Sequence, residues 1–232
     1  MYENFNSSRE AGVDARCAGR FSVSTEQAAV PRLPTDLHRI ATIGDSVFAV
    51  ALTLLAVGVR LPPDLIGRHL TGADLLPLLN DMAAIALSFC VASAFWLSHG
   101  VHLRRAVRTT VPFLISNLAV LLCIVLLPIS TRLLSAGPLS TASAAVYSVN
   151  LLATSLALLV FRRLAVRMSL PEGVAPPPTR LPPTLGSYFA LTLHSAALVA
   201  AFFHPRLSMA LWMLAFTTPA FEAWVRRVNA RG

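Results

Sequence analysis

The chain has 232 residues, 55% of them hydrophobic and only 13% charged, and its mean hydropathy is +0.65. That charge share is about half of what a soluble domain carries, which excludes an ordinary water-soluble globule. The net charge of +8 comes entirely from Arg, since the chain has no Lys, and an isoelectric point near 10.9 would suit a nucleic-acid binder unless the Arg residues are placed for another reason.

Residues 1–35 are polar, with scattered Arg, Ser and Glu, and read as a disordered cytosolic tail. No short apolar segment with a cleavage site follows Met1, so no cleaved signal peptide is expected. A membrane span needs ~20 mostly apolar residues. Six runs qualify, at about 37–59, 80–101, 110–134, 141–162, 185–204 and 206–226. Polar or Pro-rich breaks separate them: 60–74, 102–108, 135–140, and the extended linker "PEGVAPPPTRLPP" at 171–183. The fifth and sixth runs are divided only by "FHPR", where Pro205 marks a turn.

Alternate sides of these runs carry very different charge. Fifteen of the nineteen Arg residues fall in the tail, the second and fourth breaks and the C-terminus, leaving Arg60, Arg68, Arg132 and Arg206 on the other side. This is the pattern of six spans with both termini in the cytoplasm, residues 36–228 forming one transmembrane domain. It also accounts for the isoelectric point, so no nucleic-acid partner is expected. A closed β-barrel would need alternating strands of ~10 residues. The runs here are continuous and rich in Leu and Ala, so the expected fold is an all-α integral membrane protein. The three Cys form neither a ligand spacing nor a pairable framework.

The first run, "RIATIGDSVFAVALTLL" (39–55), keeps an Arg, an Asp and a Thr among apolar residues. Its "GDS" matches the nucleophile block of GDSL-type esterases, but Ser is a weak nucleophile without a positioned base. No Asp in the chain is followed by His three residues on, and no Asp follows Asp81, so no enzymatic activity is expected. Charged groups inside a span usually face the protein interior. Asp45, Trp96, His99 and Asn117 fall at a similar depth in the cytosolic half of the first three spans, as expected of an interhelical hydrogen-bond cluster. "HGVH" offers His99 and His102 as a metal pair, but without carboxylate or Cys company it is a weak one, and no metal is expected.

On a helical wheel at ~100° per residue, Ile43, Val50, Leu54 and Val57 form one aliphatic stripe with Thr53 at its edge, and Asp45 lies almost opposite. One face of the helix would meet the polar cluster. The other offers branched aliphatics to a partner, which from periodicity alone is most simply a neighbouring helix.

These residues resemble the Arg-x-x-x-Phe-Ser-Asp…Thr signature of the endosomal/lysosomal-type potassium channel family, in its prokaryotic single-repeat branch. Arg39 stands six residues before Asp45, and Thr53 eight after it. "LSFCVASAFWLSHGVHLRRAV" (87–107) is similar to the family's Ser-Phe…Trp-x-x-His second helix, and "NLAVLLCIVLLPISTRLL" (117–134) to its Asn…Leu-Pro…Thr third helix. The chain departs from the pattern where Phe-Ser becomes Ile43-Gly44 and where the family's second His becomes Gly100, so it resembles a divergent member.

The resemblance implies a homotetramer in the cell membrane. Four copies of the first helix would line a central pore with rings of Val50, Leu54 and Val57, and Thr53 would be a possible hydroxyl ligand. Arg39, Asp45, Trp96, His99 and Asn117 would hold the first three helices in register. The implied activity is a passive K⁺-over-Na⁺ channel with no cofactor beyond the permeant ion. A secondary transporter and a non-conducting scaffold are the alternatives. Beyond residue 141 the main ionisable candidates inside spans are His194 and Glu222, and Glu222, beside Trp224 and Arg226, reads as an interfacial end.

Overall fold

The computed structural model describes residues 35–57, 72–136, 138–170, 173–174, 182 and 184–230. The tail at 1–34, Arg60, Arg68 and most of the Pro-rich linker lie outside these residues. The described residues form the helices α1 (Thr35–Val57), α2 (Gly72–Leu103), α3 (Val111–Ser135), α4 (Thr141–Met168), α5 (Leu185–Phe203), α6 (Pro205–Leu214) and α7 (Thr218–Ala230) and the turns beside them. The first five are long and apolar enough to cross a membrane, and the chain is a multi-pass membrane protein.

Local chemistry sets the helix ends. Thr110 is extended before α3, and Pro112 follows in the first turn, where a missing N–H costs nothing. Ser140 and Ser143 cap α4 reciprocally through side chain and backbone. His204 breaks the chain between α5 and α6, with Pro205 opening α6.

The sixth apolar run is not one continuous helix. A 3-10 turn at Ala215–Thr217 divides it into α6 and α7. The cause is Pro219, which has no N–H for the carbonyl of Ala215 and whose ring would crowd it. The N–H of Thr218 takes that carbonyl instead, in the tighter pattern, and the Thr217 hydroxyl donates to the Leu214 carbonyl at 2.7 Å.

Packing runs α1 on α2 and α3, α3 on α4, α4 on α5, and α5 on both α6 and α7. Small residues line the tightest seams: Ala144 and Ala165 on α4, and Ala197, Ala200 and Ala201 on α5 are all buried. In lipid such residues let helix backbones approach closely. Hydroxyl bonds cross between helices as well. Thr131 on α3 donates to Ser88 on α2 at 2.8 Å, Ser88 pairs with Tyr147 on α4 at 3.0 Å, and Trp212 on α6 donates to Ser148 on α4 at 3.2 Å. Links at the opposite end fix the topology: Val107 N–H donates to the Met168 carbonyl, and Ser98 on α2 donates to Glu222 on α7. The start of α1, the α2–α3 turn, the end of α4 and the end of α7 thus share the Arg-rich end.

Candidate functional site

α1 buries Leu37, Ile40, Gly44, Phe48, Ala51 and Leu55, spaced three and four apart, against α2 and α3. Ile43 at 52%, Val50 at 56%, Leu54 at 46% and Val57 at 71% exposure stand on the outer flank, with Thr53 exposed beside them. α1 is also the least buried of the five long spans. The Thr53 hydroxyl turns back to the Val50 carbonyl at 2.8 Å, which leaves its oxygen lone pairs outward. Ser46 likewise donates to the Thr42 carbonyl at 2.8 Å. It sits in mid-helix, not on the tight strand-to-helix turn an esterase nucleophile requires.

Four of the five polar residues on the first three helices come together as two pairs. The Trp96 indole N–H on α2 donates to Oδ1 of Asp45 on α1 at 2.8 Å. His99 Nε2, one turn further along α2, donates to Oδ1 of Asn117 on α3 at 2.7 Å. His99 and Asn117 are 2% and 3% exposed, whereas Asp45 and Trp96 lie at the bundle's margin. The guanidinium of Arg39 is exposed and takes no part in either pair.

Aromatic rings surround His99. Its imidazole stacks on Phe161 of α4 at 4.7 Å between centroids, Phe161 stacks on Phe113 of α3 at 5.0 Å, and Phe48 of α1 approaches from the other side at 5.8 Å. Gly44 completes the enclosure, because a Cβ built there would lie 3.4 Å from His99 Cε1. One imidazole therefore ties four helices together, and the chain uses Gly where the signature has Ser at the point of closest approach.

A second polar cluster was not legible from sequence periodicity. Arg162, counted with the fourth break, lies inside α4, and Glu222 of α7 turns its side chain into the bundle. Both are buried and meet at 2.5 Å. Arg162 also donates to the Ser187 hydroxyl of α5 at 2.6 Å, and Ser98 donates to Glu222 Oε1 at 3.1 Å. Gly186 makes room for the carboxylate. A Cβ there would fall 2.3 Å from Glu222 Cγ. Deeper in the bundle, Ser155 and His194 pair at 2.7 Å beside a cavity of about 30 Å³, and His194 Nε2 and Thr218 Oγ1, both on its wall, are buried without a hydrogen-bond partner. Local sequence gave no sign of the ion pair, because its partners are 60 residues apart. Among the described residues no group of three or more His, Cys, Asp or Glu could hold a metal ion.

Residues 39–128 match the family model described as the endosomal/lysosomal potassium channel TMEM175. The match opens on Arg39 and closes on Pro128, so both polar pairs and the outer stripe of α1 fall within it. The fold is similar to the crystal structure of a lysosomal potassium-selective channel TMEM175 homolog from Chamaesiphon minutus. The sequence identity is 22% and the TM-score 0.66, covering 82% of this chain and 99% of that one. No curated protein matches the chain.

Proposed function

We propose that this chain, a member of the TMEM175 potassium channel family through its first three helices, is the subunit of a homotetrameric, K⁺-selective passive channel. Four copies of α1 surround the pore, with Val50, Leu54 and Val57 as its constricting rings and Thr53 as a hydroxyl ligand. The observation that carries this reading is the aliphatic flank of α1. The least buried of the long spans leaves its branched side chains outward while its polar and aromatic residues hold it to α2 and α3. Asp45, Trp96, His99 and Asn117 are the register-holding set, and Arg39, counted with them by resemblance, stands apart from both pairs within the subunit.

A narrow aliphatic neck offers no replacement for an ion's water shell, so an ion must shed part of it to pass. K⁺ holds its water less tightly than Na⁺ and crosses more easily, and such a neck also closes by dewetting. In this reading α6 and α7 together make the sixth crossing, both termini are cytoplasmic by the positive-inside rule, and no cofactor takes part.

The test is flux from liposomes holding the purified protein, together with its subunit count. Non-saturating K⁺ flux faster than Na⁺ flux, from a species of four subunits, supports the channel. No flux leaves a scaffold, and a monomer or dimer ends the proposal.

One observation favours a secondary transporter instead. Arg162, Glu222 and His194 are buried inside a single subunit, and intramembrane ionisable groups often mark transport paths. Slow, saturable flux that is lost in Glu222→Gln would select that reading.

A further inference from the structure

The Arg-rich end of the bundle holds an open cavity of about 330 Å³ between the end of α2, α4, α5 and α7. This lies within the ~300–1,000 Å³ usual for small-ligand sites. Its wall carries His102, Arg105, Arg162, Gly186, Glu222 and Arg226. Three guanidinium groups against one carboxylate leave the wall positive. The carboxylate is already engaged, by Arg162 at 2.5 Å and Ser98 at 3.1 Å on Oε1, with Arg226 standing 3.9 Å from Oε2.

His102 is the second, independent feature. It is 3% exposed, its Nε2 has no hydrogen-bond partner, and it lines the cavity. Buried polar atoms are nearly always satisfied, so an orphan on a cavity wall points to what the cavity takes. Arg105, Arg162 and Arg226 line the same cavity as His102, so the positive charge is gathered around the orphan nitrogen.

We propose that this cavity binds a phosphate-class oxyanion, with Arg105 and Arg226 as charged donors and the His102 Nε2–H as the buried one. Guanidinium groups match such oxyanions as paired donors, and an imidazole N–H adds a directional bond from the wall. The oxyanion has two possible sources: a free phosphate or phosphate ester, or the headgroup of an anionic lipid entering from the membrane edge. The site belongs to a single subunit and does not depend on what crosses at α1.

The test uses the full chain in nanodiscs of phosphatidylcholine alone. Inorganic phosphate is titrated against potassium chloride of equal ionic strength, with melting temperature as the readout. A parallel arm replaces part of the phosphatidylcholine with phosphatidic acid. A saturable rise with phosphate assigns a soluble oxyanion, and a rise only with phosphatidic acid assigns a headgroup; either supports the site. Losing one charge-assisted donor should weaken apparent affinity about tenfold in Arg105→Gln and in Arg226→Gln. The neighbouring exposed Arg227→Gln, off the cavity wall, should leave it unchanged. Arg105 is exposed, so its variant keeps the test decisive even if the other disturbs the helix packing. No saturable shift in either arm, or equal weakening by Arg227→Gln, overturns the proposal.

Discussion

Arg162 on α4 and Glu222 on α7 meet at 2.5 Å with only 2% and 4% of their side chains exposed. The pair closes α7 onto the rest of the bundle, since Ser98 of α2 and Ser187 of α5 bond to the same two groups. Taking away one partner leaves an uncompensated buried charge, which typically costs about 3–5 kcal/mol. Glu222→Gln should therefore lower the melting temperature sharply. The double variant Arg162→Gln/Glu222→Gln should recover part of the loss, because neither charge is then stranded. A double variant no more stable than Glu222→Gln would show that the pair does not act as a unit.

Gly186 tests the same cluster sterically. A methyl group there would sit 2.3 Å from Glu222 Cγ and 3.1 Å from its Cδ. Gly→Ala in a helix ordinarily stabilises by about 0.5–1 kcal/mol. Here the sign should reverse, with Gly186→Ala destabilising by about 1–3 kcal/mol through overpacking. Thermal unfolding in detergent measures it, and a rise in melting temperature would show that α5 or Glu222 can shift freely.

Gly44 predicts the opposite. Its added Cβ would meet His99 Cε1 at 3.4 Å, an ordinary van der Waals distance. Gly44→Ser, which introduces the residue that the family signature carries there, should raise stability by about 0.5 kcal/mol from helix propensity alone. Gly44→Leu should overpack the His99–Phe161 stack and destabilise. Melting temperatures of the two variants separate these outcomes, and a destabilised Gly44→Ser would mean that the α1–α2 seam has no slack.

The outer stripe of α1 carries the functional prediction. If Leu54 of each subunit helps to form the constriction, Leu54→Asn brings hydrogen-bonding groups into the neck and relieves dehydration. Removing about 1 kcal/mol of the difference in dehydration between the two ions would cut the K⁺/Na⁺ flux ratio about fivefold. Leu118→Asn, on an equally outward position of α3, should leave the ratio alone. Equal effects from both variants would place α1 against lipid.

Much of this was readable along the chain because it is local. A span declares itself by twenty consecutive apolar residues, and two helices joined by a short turn run antiparallel. Trp96, His99 and Asn117 could thus be placed at the depth of Asp45 by counting from the Arg-rich ends. The aliphatic stripe of α1 followed from a period of 3.6 residues. Even so, counting did not show that Asp45 bonds Trp96 while His99 bonds Asn117, or that Arg39 stands apart from both pairs.

The amino-acid sequence by itself determined that the chain is helical and embedded in a membrane, which faces of α1 differ, and which polar residues share a level. Those properties depend on composition and on neighbours a few residues away. Only the tertiary structure decided that Arg162 reaches Glu222 across 60 residues, that Gly186 makes room for the carboxylate, and that one imidazole joins four helices. Such contacts depend on how helices cross and how closely their backbones approach, and the residues on either side of each partner carry no record of that.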